Sequence, residues 1–212
     1  MIMLLSGGID STVMLYHALD LGNKDILGLF IDYGQRNFTG EHHAVHNICK
    51  KLHVTYHHIQ VPTAFSYSNS SCLAHGNELY PGTVEELLPE GKFNAFVPNR
   101  NMLLISIASG VAMAYGHSEV WCGFIKLRNA DVFFDQSPLF IDGISKILSP
   151  QGITVKAPLN SLYKEDVIKL GVTYGVDFND TWTCYSNEER SCRVCSACIA
   201  RDKSFKVARG EL

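Results

Sequence analysis

The chain has 212 residues, 46% of them hydrophobic, enough for one sizeable core or a core with a small appendage. Its formal charge of −3 gives no overall pull toward nucleic acid or an anionic membrane. No apolar run approaches the roughly 18–20 residues that cross a bilayer, and Met1–Leu5 is too short for a secretory leader, so a soluble, cytoplasmic protein is expected.

Met1–Leu5 is a short apolar run ending at Ser6-Gly7-Gly8, and Asp10–Leu21 then carries apolar residues at helical spacing. Ile26–Ile31 reads as a strand buried on both faces, Glu41–Leu52 as a helix and Val54–Val61 as a third strand. Pro62–Phe96 is a long polar insertion, of the kind that is usually functional in a compact domain. Asn101–Tyr115 predicts a helix, Glu119–Phe124 a fourth strand, Lys126–Gly152 a loop with a short helix, and Val155–Ala157 a fifth strand. Tyr163–Tyr174 predicts a helix stopped by Gly175, and a last helix runs over Ala197–Ala208. Strands alternating with helices imply an α/β fold with a doubly wound parallel sheet. The expected division is a main domain over 1–180 and a small cysteine-rich tail over 181–212.

The turn Leu5-Ser6-Gly7-Gly8-Ile9-Asp10-Ser11 joins the first strand to the first helix. Its glycines let an anion approach the backbone, and the helix start turns free amides and a positive dipole end toward it. Ser6 and Ser11 can donate to phosphate oxygens, while Asp10 can cap the helix or help hold Mg²⁺. The spacing fits neither the Walker nor the Rossmann pattern.

Further polar residues stand at element ends. Asp32 closes the second strand, where it suits an adenosine or metal contact or simply a turn. Arg100 can neutralise phosphate, and Asn101 can bind a purine edge or cap its helix. Lys164 and Asp166 begin a late helix, within reach of phosphate or solvated. His42 and His46, and the pair His57-His58, lack a third ligand at a recognisable spacing and read as packing residues. Phe133, Phe134 and Tyr185 can stack on a heterocycle, although core packing is the commoner use.

Of seven cysteines, Cys184, Cys192, Cys195 and Cys198 crowd near the C-terminus, with two residues between each later pair. That spacing lets a backbone knuckle present thiolates to one tetrahedral ion. Four thiolates close the coordination sphere, which makes the site structural; an iron–sulfur cluster is the lesser alternative.

Ser6-Gly7-Gly8-Ile9-Asp10-Ser11 resembles the S-G-G-x-D-S signature of PP-loop ATP pyrophosphatases. Asp32-Tyr33-Gly34-Gln35-Arg36, Val97-Pro98-Asn99-Arg100-Asn101, Pro158-Leu159-Asn160 with Lys164, and Thr181-Trp182-Thr183-Cys184-Tyr185 narrow the likeness. Together they resemble the 7-cyano-7-deazaguanine synthase (QueC) family from Leu4 to about Phe205. The resemblance implies ligation of ammonia to 7-carboxy-7-deazaguanine through an acyl adenylate, with ATP, Mg²⁺ and Zn²⁺ as cofactors and a homodimer as the assembly. It places nucleotide binding on Leu5, Ser6, Gly7, Gly8, Ile9, Asp10, Ser11, Asp32, Gln35, Asn101 and Gly123. The catalytic set it implies is Ser6, Asp10, Ser11, Arg100 and Lys164, with Zn²⁺ on all four clustered cysteines.

Two departures stand out. The family pattern G-x-N-x-x-D-Y-x-G-Y-x-D after Gly123 is replaced by Phe124 through Asp131, with Asp131 or Asp135 as the candidate acid, and Asn37 stands where a histidine is usual. The first bears on substrate and product, leaving the nitrile or the 7-amide as end point. A tRNA thiolase or an amidotransferase would share Ser6–Ser11. A zinc-knuckle nucleic-acid module is the remaining rival, but the tail holds few basic residues, Arg190, Arg193 and Arg201 among them, and no interleaved aromatic stacking set, so direct nucleic-acid binding is not expected.

Overall fold

The computed structural model describes residues 1–128, 133–186 and 190–212; Asp131 lies outside the described residues. Five parallel strands form one sheet: β1 (Ile2–Leu4), β2 (Leu27–Asp32), β3 (Tyr56–Gln60), β4 (Glu119–Trp121) and β5 (Thr154–Lys156). They lie in the order β3-β2-β1-β4-β5, with Ile2 opposite Leu27 on one side and Val120 on the other. The order reverses between β1 and β4, and crevices at such switch points are where open α/β sheets bind ligands.

Alternation along the strands feeds two cores. Ile2, Leu29 and Ile31 pack with α4 (Arg100–Tyr115) and α5 (Pro138–Leu148) on one face. Met3, Leu5 and Phe30 pack on the other with α1 (Ile9–Asp20), α2 (Phe38–Leu52) and α6 (Lys164–Thr173). The layers are those the sequence predicts.

Several bounds differ. β4 stops at Trp121, because the chain then passes close to the start of α1: a Cβ on Gly123 would lie 2.9 Å from the Ser11 amide nitrogen. The helix expected from Glu41 begins at Phe38. The short helix expected within Lys126–Gly152 is the eleven-residue α5, N-capped by Ser137, whose hydroxyl accepts from the Phe140 amide, and opened by Pro138. The insertion carries the four-residue α3 (Val84–Leu87) with a Thr83/Glu86 capping box and buries a satellite core of Phe65, Leu73 and Val97.

The tail ends in α7 (Ser196–Ala208) and is fastened to the main body. The Trp182 amide donates to the Gly7 carbonyl (2.9 Å), and the Asn37 side chain donates to the Cys184 carbonyl (3.0 Å). Asn37 thus does local work as a link between α2 and the tail.

Candidate active site and metal centre

One cavity opens at the switch point, between the carboxyl ends of β1, β2 and β4 and the starts of α1 and α4. The loop after β1 forms its floor. Gly7 has φ +69°, and a Cβ there would meet the Ala44 Cβ at 2.6 Å and the Glu41 carbonyl oxygen at 2.8 Å, so only glycine seats the loop against α2. The hydroxyls of Ser6 and Ser11 lie 3.2 Å apart, and the Ser6 amide donates to Ser11 Oγ at 3.2 Å. Gly8 is the N-cap of α1 without a side-chain cap, which leaves the first-turn amides for an anion.

Asp10, in that first turn, does not cap the helix. Its Oδ2 accepts from Lys164 Nζ at 2.5 Å, while its Oδ1 is buried with no hydrogen-bond partner among the described residues. A buried carboxylate oxygen left bare is costly in isolation and suits a bound cation. Lys164 meets the site through Asp10 and is absent from the cavity wall.

The facing wall comes from α4, the turn after β2 and the start of α2. Arg100 and Asn101 line the cavity; Arg100 Nε donates to Asn101 Oδ1, and the guanidinium lies 5.9 Å from the Tyr33 ring centre. Asn99, in the left-handed conformation at φ +59°, starts the helix without a side-chain cap and sets the direction of Arg100. Asn101 donates to the Asp135 carbonyl and caps nothing. Asp135 itself is buried, and one of its carboxylate oxygens has no partner among the described residues. Burial pushes the Asp135 carboxyl upward against the pull of Arg100.

Glu41 completes this wall. Its Oε2 accepts from Gln35 (3.2 Å) and its Oε1 from Asn37 (3.1 Å). Gln35 is buried and fully engaged, because it also donates to the Ile31 carbonyl and accepts from the Tyr33 amide. Burial raises the Glu41 carboxyl to about 7, although both amide donors and the Arg100 charge oppose the shift. Burial likewise raises the Tyr33 hydroxyl well above its ordinary value, so it stays protonated.

In the tail, the four sulfurs of Cys184, Cys192, Cys195 and Cys198 lie within 4.8 Å of one another, and Cys192 Sγ is 4.0 Å from Cys198 Sγ. Tetrahedral coordination at about 2.3 Å per Zn–S bond needs sulfurs about 3.8 Å apart, so the set suits such an ion after a small contraction. The Cys192 amide donates to Cys184 Sγ (3.3 Å) and the Cys195 amide to Cys192 Sγ (3.4 Å), favouring thiolates.

A family model described as queuosine biosynthesis protein QueC matches residues 1–209. The chain belongs to the QueC family. The 7-cyano-7-deazaguanine synthase of Methanobrevibacter smithii is 35% identical, covering 98% of this chain and 93% of its own length. That of Pseudoalteromonas translucida is 31% identical over 97% of this chain and 93% of its own. Among solved structures, the U34-tRNA thiolase NcsA from Methanococcus maripaludis, with its 4Fe–4S cluster, superposes with a TM-score of 0.50 at 14% identity. It covers 99% of this chain and 70% of that one, a likeness of fold alone.

In this member of the QueC family, Leu5, Ser6, Gly8, Asp10, Ser11, Gln35, Arg100, Asn101 and Gly123 all line one cavity. Gly7 and Ile9 support it from behind, both buried. Asp32 is not on the wall: its carboxylate accepts from the Gly34 amide at 2.9 Å and closes the turn after β2. Glu41 was not marked by its sequence context, since an acid in the first turn of a helix is ordinary. The available signal was its place just beyond a strand end that carries Tyr33, Gln35 and Asn37. His42 and His58 stack with Phe30 and Phe38 as packing residues, in keeping with the sequence reading.

Proposed function

We propose that the chain uses ATP to join ammonia to 7-carboxy-7-deazaguanine and gives 7-cyano-7-deazaguanine. The observation that carries this reading is the shared cavity. Two loop hydroxyls and a helix N-terminus face Arg100 across a switch-point crevice, an arrangement suited to a triphosphate beside an acidic substrate.

A carboxylate is a poor electrophile, and adenylation gives it a leaving group. A substrate carboxylate oxygen attacks the α-phosphorus of ATP and pyrophosphate departs; ammonia then adds to the carbonyl carbon and AMP leaves, giving the amide. Attack of the amide oxygen on the α-phosphorus of a second ATP expels pyrophosphate, and loss of AMP and the two remaining N–H protons then gives the nitrile. Ser6, Ser11 and the α1 amides hold the departing pyrophosphate, and Arg100 offsets its charge. Lys164 orients Asp10, whose free oxygen would hold Mg²⁺ to neutralise the nucleotide phosphates. No nucleophilic side chain is required.

In this reading residues 1–180 form the catalytic unit. Residues 181–212 form a brace in which Cys184, Cys192, Cys195 and Cys198 hold Zn²⁺ and Trp182 supports the phosphate loop. The assembly is a cytoplasmic homodimer that takes free ammonia. The test is mass spectrometry of a reaction holding the protein, 7-carboxy-7-deazaguanine, ATP, Mg²⁺ and ammonium. The nitrile is expected. A persistent amide would end the reaction at the first ligation, and an unchanged acid with no AMP would reject the assignment.

A further inference from the structure

Any transfer of ammonia to an acyl adenylate has a proton problem. Ammonia is mostly ammonium at neutral pH, and ammonium is no nucleophile. The adduct formed by attack also carries a positive nitrogen that must lose a proton before AMP can leave. The phosphate-binding side of the cavity offers hydroxyls, amides and cations, none of which is a base. Asp10 is committed to Lys164. The other carboxylate that lines the cavity among the described residues is Glu41, which keeps company with Tyr33 and Arg100.

We propose that Glu41 is the general base for the ammonia step, taking a proton from ammonium as it enters and from the nitrogen of the tetrahedral adduct. This rests on the function proposed above. In the second case the C–N bond has formed, the nitrogen proton passes to a Glu41 carboxylate oxygen, and the C–O bond to AMP breaks with its electron pair leaving on the AMP phosphate. Conversion of the amide to the nitrile sheds further N–H protons at the same nitrogen, and the same carboxylate accepts them in turn.

The geometry suits the role. Glu41 is held by two neutral amides, Gln35 and Asn37, and not by a salt bridge, so its orientation is set without its basicity being quenched. Both donors are anchored elsewhere, Gln35 on the Ile31 carbonyl and Asn37 on the Cys184 carbonyl. The groups facing it are the Arg100 cation from α4, the Tyr33 hydroxyl from the turn after β2 and the Cys72 thiol from the insertion. Burial raises both Tyr33 and Cys72, so these two are neutral at pH 7; the Gln35 hydrogen bond is the largest opposing influence on Glu41, followed by the Arg100 charge. With burial as the larger effect, the Glu41 carboxyl comes to about 7, where an acid–base group exchanges protons most effectively.

The experiment separates adenylation from ammonia transfer. Pyrophosphate–ATP exchange in the presence of 7-carboxy-7-deazaguanine, without ammonia, reads the first half-reaction. Product formation with ammonium reads the second, and product formation with hydroxylamine, which is largely unprotonated at neutral pH, reads transfer without the need to deprotonate the incoming amine. Glu41→Gln is expected to keep exchange within a few-fold of wild type. Ammonium-dependent turnover should fall by about 10²-fold or more, and hydroxylamine should recover the part of that loss that comes from deprotonating the incoming amine. The fall of wild-type turnover below about pH 7 should be missing in Glu41→Gln and retained, at lower rate, in Glu41→Asp. Exchange that falls in step with turnover would make Glu41 a binding residue and overturn the proposal, as would undiminished ammonium-dependent turnover. If the wild-type protein shows no exchange, the function reading itself fails, and the base assignment falls with it.

Discussion

Gly40→Ala tests how the tail braces the phosphate loop, because local and tertiary effects predict opposite signs. Gly40 lies in the first turn of α2, where alanine would gain up to about 1 kcal/mol in helix propensity. Its Cβ, however, would sit 2.3 Å from Trp182 Cε2 and 2.6 Å from Trp182 Nε1. The indole must leave, and with it goes the Nε1–H bond to the Cys184 carbonyl, which loosens the segment whose Trp182 amide donates to the Gly7 carbonyl. Overpacking costs about 1–3 kcal/mol and the lost hydrogen bond about 1 kcal/mol. After the propensity gain the net destabilisation is about 2 kcal/mol, a fall of about 4–8 °C in the thermal midpoint for a chain of this length. The assay is thermal unfolding of wild type, Gly40→Ala, Trp182→Ala and the double variant. Once Trp182 is removed, Gly40→Ala should become neutral or stabilising, since the cavity left by the indole accepts the methyl group. A higher midpoint for Gly40→Ala in the wild-type background would refute the packing of Trp182 on α2 and the brace built on it.

Ser6→Ala combined with Ser11→Ala should abolish ATP consumption and leave the fold intact by circular dichroism; normal turnover would remove these hydroxyls from the phosphate site. Cys195→Ser should lose bound metal and loosen the tail, read by metal analysis and by proteolysis, whereas one full equivalent of zinc in the variant would refute the four-thiolate centre. Glu41→Gln should also change stability with a defined sign. A carboxyl raised from 4.5 to about 7 binds its proton more tightly when folded, so its contribution is favourable at low pH and lost as pH rises through that window. The variant should therefore exceed wild type by on the order of 2–3 kcal/mol at pH 8 and match it near pH 4, measured by urea unfolding.

The layers were legible because β1 and β2 are apolar runs and α1 carries apolar residues at helical spacing; the Gly-rich turn after β1 was legible because six adjacent residues form it. What escaped was non-local. Strand order depends on crossovers that no residue spells out, so the switch point between β1 and β4 emerges only in three dimensions. Asp32 sits at a strand end like a ligand-binding acid, yet it stands off the cavity wall, with Oδ1 accepting from the Gly34 amide two residues on. Glu41 reads as a routine helical acid until Gln35, Asn37 and Arg100 converge on it. The insertion reads as polar because its satellite core draws on three separated places, Phe65, Cys72-Leu73, and Ala95 with Val97 just beyond the insertion. The extent of α5 was signalled by Ser137-Pro138, but the mixed composition around it masked the period of Phe140, Ile144 and Leu148.

The central claim is that this cavity activates a carboxylate by adenylation, and oxygen isotope transfer tests it most directly. With 7-carboxy-7-deazaguanine labelled with ¹⁸O in its carboxylate, ATP and ammonium, the account predicts one ¹⁸O in the AMP released per first ligation, detected by mass spectrometry. AMP without label, or label recovered in inorganic phosphate alongside ADP, would contradict it.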